Sequence, residues 1–386
     1  MATVLCVLYD DPKQPNSTAK RASLPDITQY PDGQSLPCPK NIDFVPGDLL
    51  GHLGGGLGLK SFLAEQNHTF IVTADKDGED SEFERALPDA DIVISQPFWP
   101  AYLDARRLDK AKKLGLIITA GIGSDHIDIT HALRKNITIT EVTYSNSISV
   151  AEHAVMLMLS LVRNYLPSHQ TVLDGGWNIA DCVQQSYDIE GMTIGSLGAG
   201  RIGLAVMKRL QGFDVKLHYT DKHRLPKAVE QALNLTYHAN LNQMAPLCDI
   251  LTINVPLHPE TKHLINKEFI QTLKKGTYIV NTARAQICDE KAIVDACNTG
   301  HLAGYAGDVW YPQPAPIDHP WRYMKNHGMT PHIAGTSLSA QARYAAGTRE
   351  ILECWFDNRP IRESYLIGAN GQLKGAGARA YTVENA

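Results

Sequence analysis

Charge of one sign is what this chain lacks first. Its 386 residues carry 36 Lys and Arg against 41 Asp and Glu, a formal net charge of -5. That balance gives no electrostatic reason to expect nucleic acid or an anionic membrane as partner. Paired cysteine is lacking too. Cys6, Cys38, Cys182, Cys248, Cys288, Cys297 and Cys354 are odd in number and never spaced Cys-x-x-Cys. Neither a disulfide framework nor a zinc site is suggested, and a reducing cytoplasm fits. No apolar run approaches the roughly 20 residues that span a bilayer. The opening Met1-Ala2-Thr3-Val4-Leu5 runs into a strand with no basic leader, so no targeting segment and no membrane anchor are expected. Among the fifteen histidines, His319, His327 and His332 follow no ligand spacing, and no metal is expected.

What is present is alternation. After a first strand and a proline-rich stretch at residues 10–46, expected to run over the surface, helical and strand-like segments take turns. Helices are predicted over 59–66, 81–86 and 102–113, with strands over 70–73, 91–95, 116–120 and 137–141. One long apolar helix is predicted over 147–165, stopped by Pro167. A second alternation begins at Met192 and closes with a helix over 339–358. Repeated strand–helix units of this kind argue for parallel, doubly wound sheets, and the length suits two domains. If the last helix packs on the N-terminal unit, the first domain is discontinuous and the second is an insertion.

Within the second alternation, Gly198-Ala199-Gly200-Arg201-Ile202-Gly203 joins strand to helix. The first glycine suits a tight turn, the second lets backbone approach a pyrophosphate, and the third lets helix pack on strand. Asp221 closes the next strand at about the 20-residue spacing expected of a carboxylate that binds the adenosine ribose. A carboxylate there favours NAD over NADP, although Lys222, His223 and Arg224 beside it work the other way.

Three further strand ends carry chemistry: Asn281-Thr282-Ala283-Arg284, Gly307-Asp308-Val309 and Pro331-His332-Ile333-Ala334-Gly335. Ligands of open α/β sheets bind at such ends. A guanidinium matches a carboxylate with two parallel hydrogen bonds, so Arg284 suits an anionic substrate. Alone, Arg284 reads as a structural ion-pair partner and His332 as a satisfied histidine; together they exceed that.

With these motifs the chain resembles the D-2-hydroxyacid dehydrogenase superfamily, and more closely its NAD-dependent formate dehydrogenase branch. Gln96-Pro97-Phe98-Trp99-Pro100, Thr119 to His126 and Ser145 to His153 add to the likeness. The resemblance implies that Arg284 and His332 are catalytic. It also places a carboxylate five residues beyond the Asp308 position in the superfamily, where this chain has Gln313. A glutamate there would favour the imidazolium that protonates a 2-oxo acid; formate oxidation needs no such proton, and a neutral glutamine still orients the ring.

By the same resemblance, Asn146 and the Ile122 backbone hold formate, and Pro97 and Phe98 wall the pocket. Ser147, Arg201, Ile202, Pro256-Leu257-His258-Pro259-Glu260, Thr282, Asp308 and His332-Ile333-Ala334-Gly335 contact NAD. The implied fold is two Rossmann-like α/β domains, a discontinuous catalytic (substrate) domain of 1–146 plus 334–386 and an inserted NAD-binding domain of 147–333. A homodimer is implied as well. Ala285 and Ala334 depart from a usual glycine and serine, which is expected to adjust kinetics and preserve the reaction. The rivals are a 2-hydroxyacid dehydrogenase for a larger oxo acid, against which stand Gln313 and the apolar 97–99 wall; a non-catalytic NAD-sensing corepressor, disfavoured by Arg284, His332 and Asn146 together; and a metal hydrolase.

Overall fold

The computed structural model describes residues 1–9, 56–375 and 377–381; the proline-rich stretch at 10–46 lies outside them. The chain divides into two compact units, Met1–Asn146 with Gly335–Ala386, and Ser147–Ala334.

In the first unit the elements run β1 (Thr3–Val7), α1 (Lys60–Glu65), β2 (Thr69–Thr73), α2 (Glu82–Ala86), β3 (Ile92–Ser95), α3 (Ala105–Lys110), β4 (Leu116–Thr119), α4 (Ile129–Arg134) and β5 (Thr138–Glu141). The second unit holds α5 (Ser147–Val162), α6 (Tyr165–Leu173), α7 (Ile179–Val183), β6 (Thr193–Leu197), α8 (Arg201–Leu210), β7 (Lys216–Thr220), α9 (Lys227–Ala232), β8 (Leu235–Tyr237), α10 (Leu241–Met244), β9 (Ile250–Ile253), α11 (Lys267–Ile270), β10 (Thr277–Asn281), α12 (Glu290–Thr299), β11 (Leu302–Gly307) and β12 (His327–Met329). The chain then returns to the first unit with α13 (Leu338–Phe356), β13 (Leu366–Ala369) and β14 (Gln372–Leu373).

Each unit is built on one seven-stranded sheet, ordered β14-β13-β5-β4-β3-β1-β2 in the first and β12-β11-β10-β9-β6-β7-β8 in the second. The second is parallel throughout, with Ile194 opposite Ile250 and Thr193 opposite Lys216. The first is parallel apart from β13, which runs against β5 and β14. Parallel strands covered on both faces must be apolar along their length. Ile92-Val93-Ile94-Ser95 and Leu116-Ile117-Ile118-Thr119 are accordingly buried at every position, and each sheet carries one apolar cluster on either side. The doubly wound α/β class expected from the alternation is the class observed.

Two sequence expectations need correction. The helix predicted over 147–165 stops at Val162, and the chain turns at Asn164 (φ 50°) before α6 begins. Pro167 sits in the first turn of α6, where its missing N–H breaks no helical hydrogen bond, so it permits a helix start instead of only marking a stop. The helix predicted over 102–113 is shorter, because the Asp104 side chain accepts from the Arg107 amide and caps α3 at Ala105.

Candidate active site

In the second unit the fingerprint turn is made by close packing. Strand β6 is followed by Gly198 (φ 95°), where a Cβ would lie 2.7 Å from the Asn254 carbonyl oxygen, and a Cβ at Gly203 would lie 2.2 Å from the Gly198 oxygen. Gly200 differs: no atom of the described residues stands within 4 Å of its Cβ position. It precedes α8 with no side-chain cap, which leaves the helix amides for an anion. Beside the turn, Asp221 accepts from the Ala199 amide at 2.7 Å and from the His223 amide at 2.8 Å. The neighbouring cations are engaged elsewhere. Lys222 pairs with Glu260, and Arg224 pairs with Glu230 at 2.8 Å. Hydrogen bonds from Arg224 and Tyr219 hold the Glu230 carboxyl down at about 2.

Because β6 pairs with β7 on one side and β9 on the other, the sheet order reverses there, and the fingerprint sits at that switch point. The remaining residues follow the next strands. The Pro256–Glu260 segment after β9 is stapled by Thr261, whose hydroxyl donates to the Pro256 oxygen at 2.7 Å and accepts from the His258 amide at 3.0 Å.

Arg284 follows β10. Asn281, fully buried at the strand end, accepts from the Ala283 amide at 3.0 Å and donates to the Arg284 oxygen at 3.0 Å and the Tyr305 hydroxyl at 3.1 Å. The turn that carries the arginine is thereby tied to the adjacent strand β11. Ala285 is buried in the short turn that follows.

Asp308 follows β11 and is fully buried. It accepts from Thr330 Oγ1 at 2.6 Å, the Ile333 amide at 2.8 Å and the Ala334 amide at 2.7 Å. Burial pushes its pKa up, against the pull of those hydrogen bonds. His332, between β12 and these amides, has φ 58° and pairs through Nδ1 with Gln313 Oε1 at 2.9 Å. A carbonyl oxygen only accepts, so Nδ1 carries the proton.

These strand ends are neighbours, since β10, β11 and β12 are consecutive in the sheet, and they bring Arg284, Asp308 and His332 to one edge. Two buried hydroxyls of this unit, Ser147 Oγ and Thr282 Oγ1, have no hydrogen-bond partner among the described residues. Buried polar atoms without partners call for a ligand or water. With the open space at Gly200 and the uncapped α8, they fit a bound dinucleotide.

In the first unit the Gln96–Pro100 segment follows β3 and is held rigid. Trp99 Nε1 donates to the Ala74 oxygen at 3.3 Å, and Lys76 Nζ lies 4.6 Å from the Trp99 ring centre. Pro97 packs where a Cβ on Gly121 (φ 145°) would stand 3.0 Å from it, and Phe98 meets Tyr344 at 6.4 Å between ring centres. Ile122 lies between Gly121 and Gly123, whose amide donates to Glu141 Oε2 at 3.1 Å. Asn146 is buried, and its Oδ1 has no hydrogen-bond partner among the described residues. The preceding Ser145 oxygen accepts from Arg343 Nε at 2.6 Å, and a Cβ on Gly335 would strike Asn146 Nδ2 at 2.6 Å.

Thr330 and Tyr344 carry no signal in the sequence, and Asn281 carries none for the role it takes. Asn281 opens the motif that was read, yet nothing local signals that its amide ties two strands. Thr330 reaches Asp308 across 22 residues, and no spacing rule covers that separation. Among the described residues no cluster of three or more His, Cys, Asp or Glu could hold a metal ion, and no helix is long and apolar enough to cross a membrane.

Residues 155–334 match the family described as D-isomer specific 2-hydroxyacid dehydrogenase, NAD binding domain. The chain is 62% identical to the formate dehydrogenase of Pseudomonas sp. (strain 101), over 100% of this chain and 96% of that protein. A solved formate dehydrogenase structure from Granulicella M. superposes with a TM-score of 0.95 at 62% identity, covering 97% of this chain and 100% of the other. The NAD-dependent formate dehydrogenase of Staphylococcus aureus in complex with NAD gives 0.80 at 38% identity, over 95% and 99%. Residues 155–334 are therefore an NAD-binding domain, and the chain belongs to the formate dehydrogenase family, within the NAD-dependent D-isomer specific 2-hydroxyacid dehydrogenases.

Proposed function

We propose that the protein oxidises formate to carbon dioxide by direct hydride transfer to NAD. The observation that carries this reading is the His332 Nδ1–Gln313 Oε1 pair at 2.9 Å, in which the histidine is oriented by a neutral partner. Bound NAD supplies the electron-pair acceptor. The C–H bond of formate breaks with both its electrons, and no proton is exchanged, so a carboxylate to charge the imidazole is not required.

Arg284 and Asn146 are the groups we assign to the formate oxygens, with the Ile122 backbone beside them and Pro97 and Phe98 as apolar wall. The turn fixed by Asn281 and the unpartnered Oδ1 of the buried Asn146 support these roles. Asp221 is assigned to the adenosine ribose, Gly198, Gly200 and Gly203 with Arg201 and Ile202 to the pyrophosphate. Ser147, Thr282, Asp308, the 256–260 segment and His332 to Gly335 are assigned to the rest of NAD. Holding two reactants at contact distance is the main catalytic contribution asked of these groups.

On this reading residues 1–146 with 334–386 form the substrate domain and 147–333 the NAD-binding domain. We further propose a cytoplasmic homodimer. No residue of α6 or α7 is buried, and Tyr165, Leu173, Ile179 and Val183 lie open with Trp177 at 80% exposure, an apolar surface of the kind that marks an interface. The described cysteines are free thiols, five of six buried, which fits a reducing compartment.

The test is absorbance growth from NADH when purified protein meets formate and NAD. Reduction of glyoxylate or hydroxypyruvate by NADH, with no formate turnover, would sink the assignment.

A further inference from the structure

Helix α5 places His153 within reach of the buried carboxylate of Asp308. His153 Nε2 lies 3.0 Å from Thr330 Oγ1 and 3.9 Å from Asp308 Oδ1. The Thr330 hydroxyl has one proton and two acceptors to choose from, Asp308 Oδ1 at 2.6 Å and the Gly307 oxygen at 3.3 Å. The shorter, charged acceptor takes it. The hydroxyl then has a lone pair for His153, and a neutral His153 meets it by carrying its proton on Nε2. Burial lowers the pKa of this histidine, which favours that neutral form.

The donor on His153 thereby reinforces that orientation of the Thr330 hydroxyl by occupying its lone pair. Without it, the hydroxyl is held by Asp308 alone and visits the Gly307 oxygen more often, and in that orientation Asp308 retains the amides of Ile333 and Ala334. Those amides directly follow His332, so the chain of hydrogen bonds runs from α5 through Thr330 and Asp308 to the segment that carries the histidine. Sequence adjacency does not reveal this path, because His153 and Thr330 are separated by 177 residues.

We propose that His153 and Thr330 are positioning residues for the nicotinamide end of NAD. His153 Nε2–H donates to Thr330 Oγ1, which donates to Asp308 Oδ1, so that Asp308 presents one fixed carboxylate edge to the carboxamide. The inference rests on the assignment of Asp308 to NAD made above, taken to the nicotinamide carboxamide. Loosening that edge lets the carboxamide rotate, which weakens NAD binding and blurs which face of the ring receives the hydride.

The experiment compares four variants of the full-length protein. His153→Phe keeps an aromatic ring and loses the donor, and His153→Gln restores a donor. Thr330→Val keeps the shape and loses the hydroxyl, and Thr330→Ser restores it. NAD affinity is read by tryptophan fluorescence, and the face of transfer by the position of deuterium in NADH made from deuterated formate. One well-placed hydrogen bond corresponds to about tenfold in affinity. His153→Phe and Thr330→Val are expected to bind NAD about tenfold more weakly, to leave KM for formate unchanged, and to place deuterium on both faces. The Gln and Ser variants are expected to recover single-face transfer and most of the affinity. Wild-type affinity with single-face transfer in His153→Phe overturns the proposal, and so does an equal defect in His153→Phe and His153→Gln. The NAD titration needs no formate, so an enzyme that binds NAD but leaves formate untouched would refute the substrate assignment while the titration still judges the relay.

Discussion

Asp308 and Glu84 are both buried carboxylates, one in each unit, and they are held in opposite ways. Glu84 on α2 is met by three cations: Arg107 Nε at 2.7 Å, Arg106 Nη2 at 2.8 Å and Lys110 Nζ at 2.8 Å. Burial pushes the Glu84 carboxyl up, but the hydrogen bonds from Lys110, Arg107 and Arg106 outweigh it and bring it down to about 2. Asp308 accepts from one hydroxyl and two amides, with a histidine 3.9 Å away, and its pKa stays raised. A carboxylate compensated by fixed cations serves the fold. One held by backbone amides stays available to a ligand, and its position depends on the chain segments that donate to it.

That contrast can be tested in order of expected effect. Arg284→Ala removes the guanidinium assigned to the substrate, and kcat/KM for formate should fall on the order of a thousandfold. NAD affinity, measured by fluorescence, should stay within a few-fold; equal loss of both would place Arg284 in the cofactor site instead. Glu84→Gln leaves Arg106, Arg107 and Lys110 around a neutral amide and should cost about 3–5 kcal/mol of unfolding free energy, read from urea melts. The same variant tests the pH dependence. The folded-state pKa of Glu84 is depressed, so its contribution is present above the ordinary carboxylate value of 4.5 and is lost as pH falls toward about 2. The variant should lose that part of the acid-unfolding limb, and an unchanged limb would show that Glu84 is not a determinant.

In the second unit, Asp221→Ser should narrow the preference for NAD over NADP by about tenfold in kcat/KM, if the carboxylate sits at the adenosine ribose as proposed and its charge repels a 2'-phosphate. Lys222 and Arg224, being paired with Glu260 and Glu230, should not make the wild type accept NADP as well as NAD. Comparable efficiency with both would show that these ion pairs open to receive the phosphate. The smallest effect is expected at Tyr344, whose buried hydroxyl has no hydrogen-bond partner among the described residues. Tyr344→Phe removes a polar group that burial penalises, so the melting temperature should hold or rise slightly. A clear fall would reveal a bound water that the hydroxyl holds in place.

How much of this was readable in advance depended on the range of the interaction. The glycine fingerprint was legible because Gly198 and Gly203 act on each other and on Asn254 through steric contact that no side chain tolerates. Strands such as β4 and β10 were legible because full burial favours apolar residues in sequence, Leu116-Ile117-Ile118 in the one and Tyr278-Ile279-Val280 in the other. β8 and β12, three residues each, carry too little pattern to show a period. The break between α5 and α6 turns on a left-handed Asn164, which apolar periodicity does not register.

The sequence alone determined the α/β class, the fingerprint with its carboxylate at Asp221, and the arginine, histidine and glutamine at the ends of later strands. These rest on local rules: burial of parallel strands, glycine sterics and the spacing of one strand–helix unit. Tertiary structure decided which of the charged residues are compensated. Only folding brings Arg106, Arg107 and Lys110 onto Glu84, Glu260 onto Lys222, and Thr330 with the Ile333 and Ala334 amides onto Asp308. A charge reads the same in sequence whether it is paired or not, and its partners come from elements 20 or more residues away in nearly all of these cases.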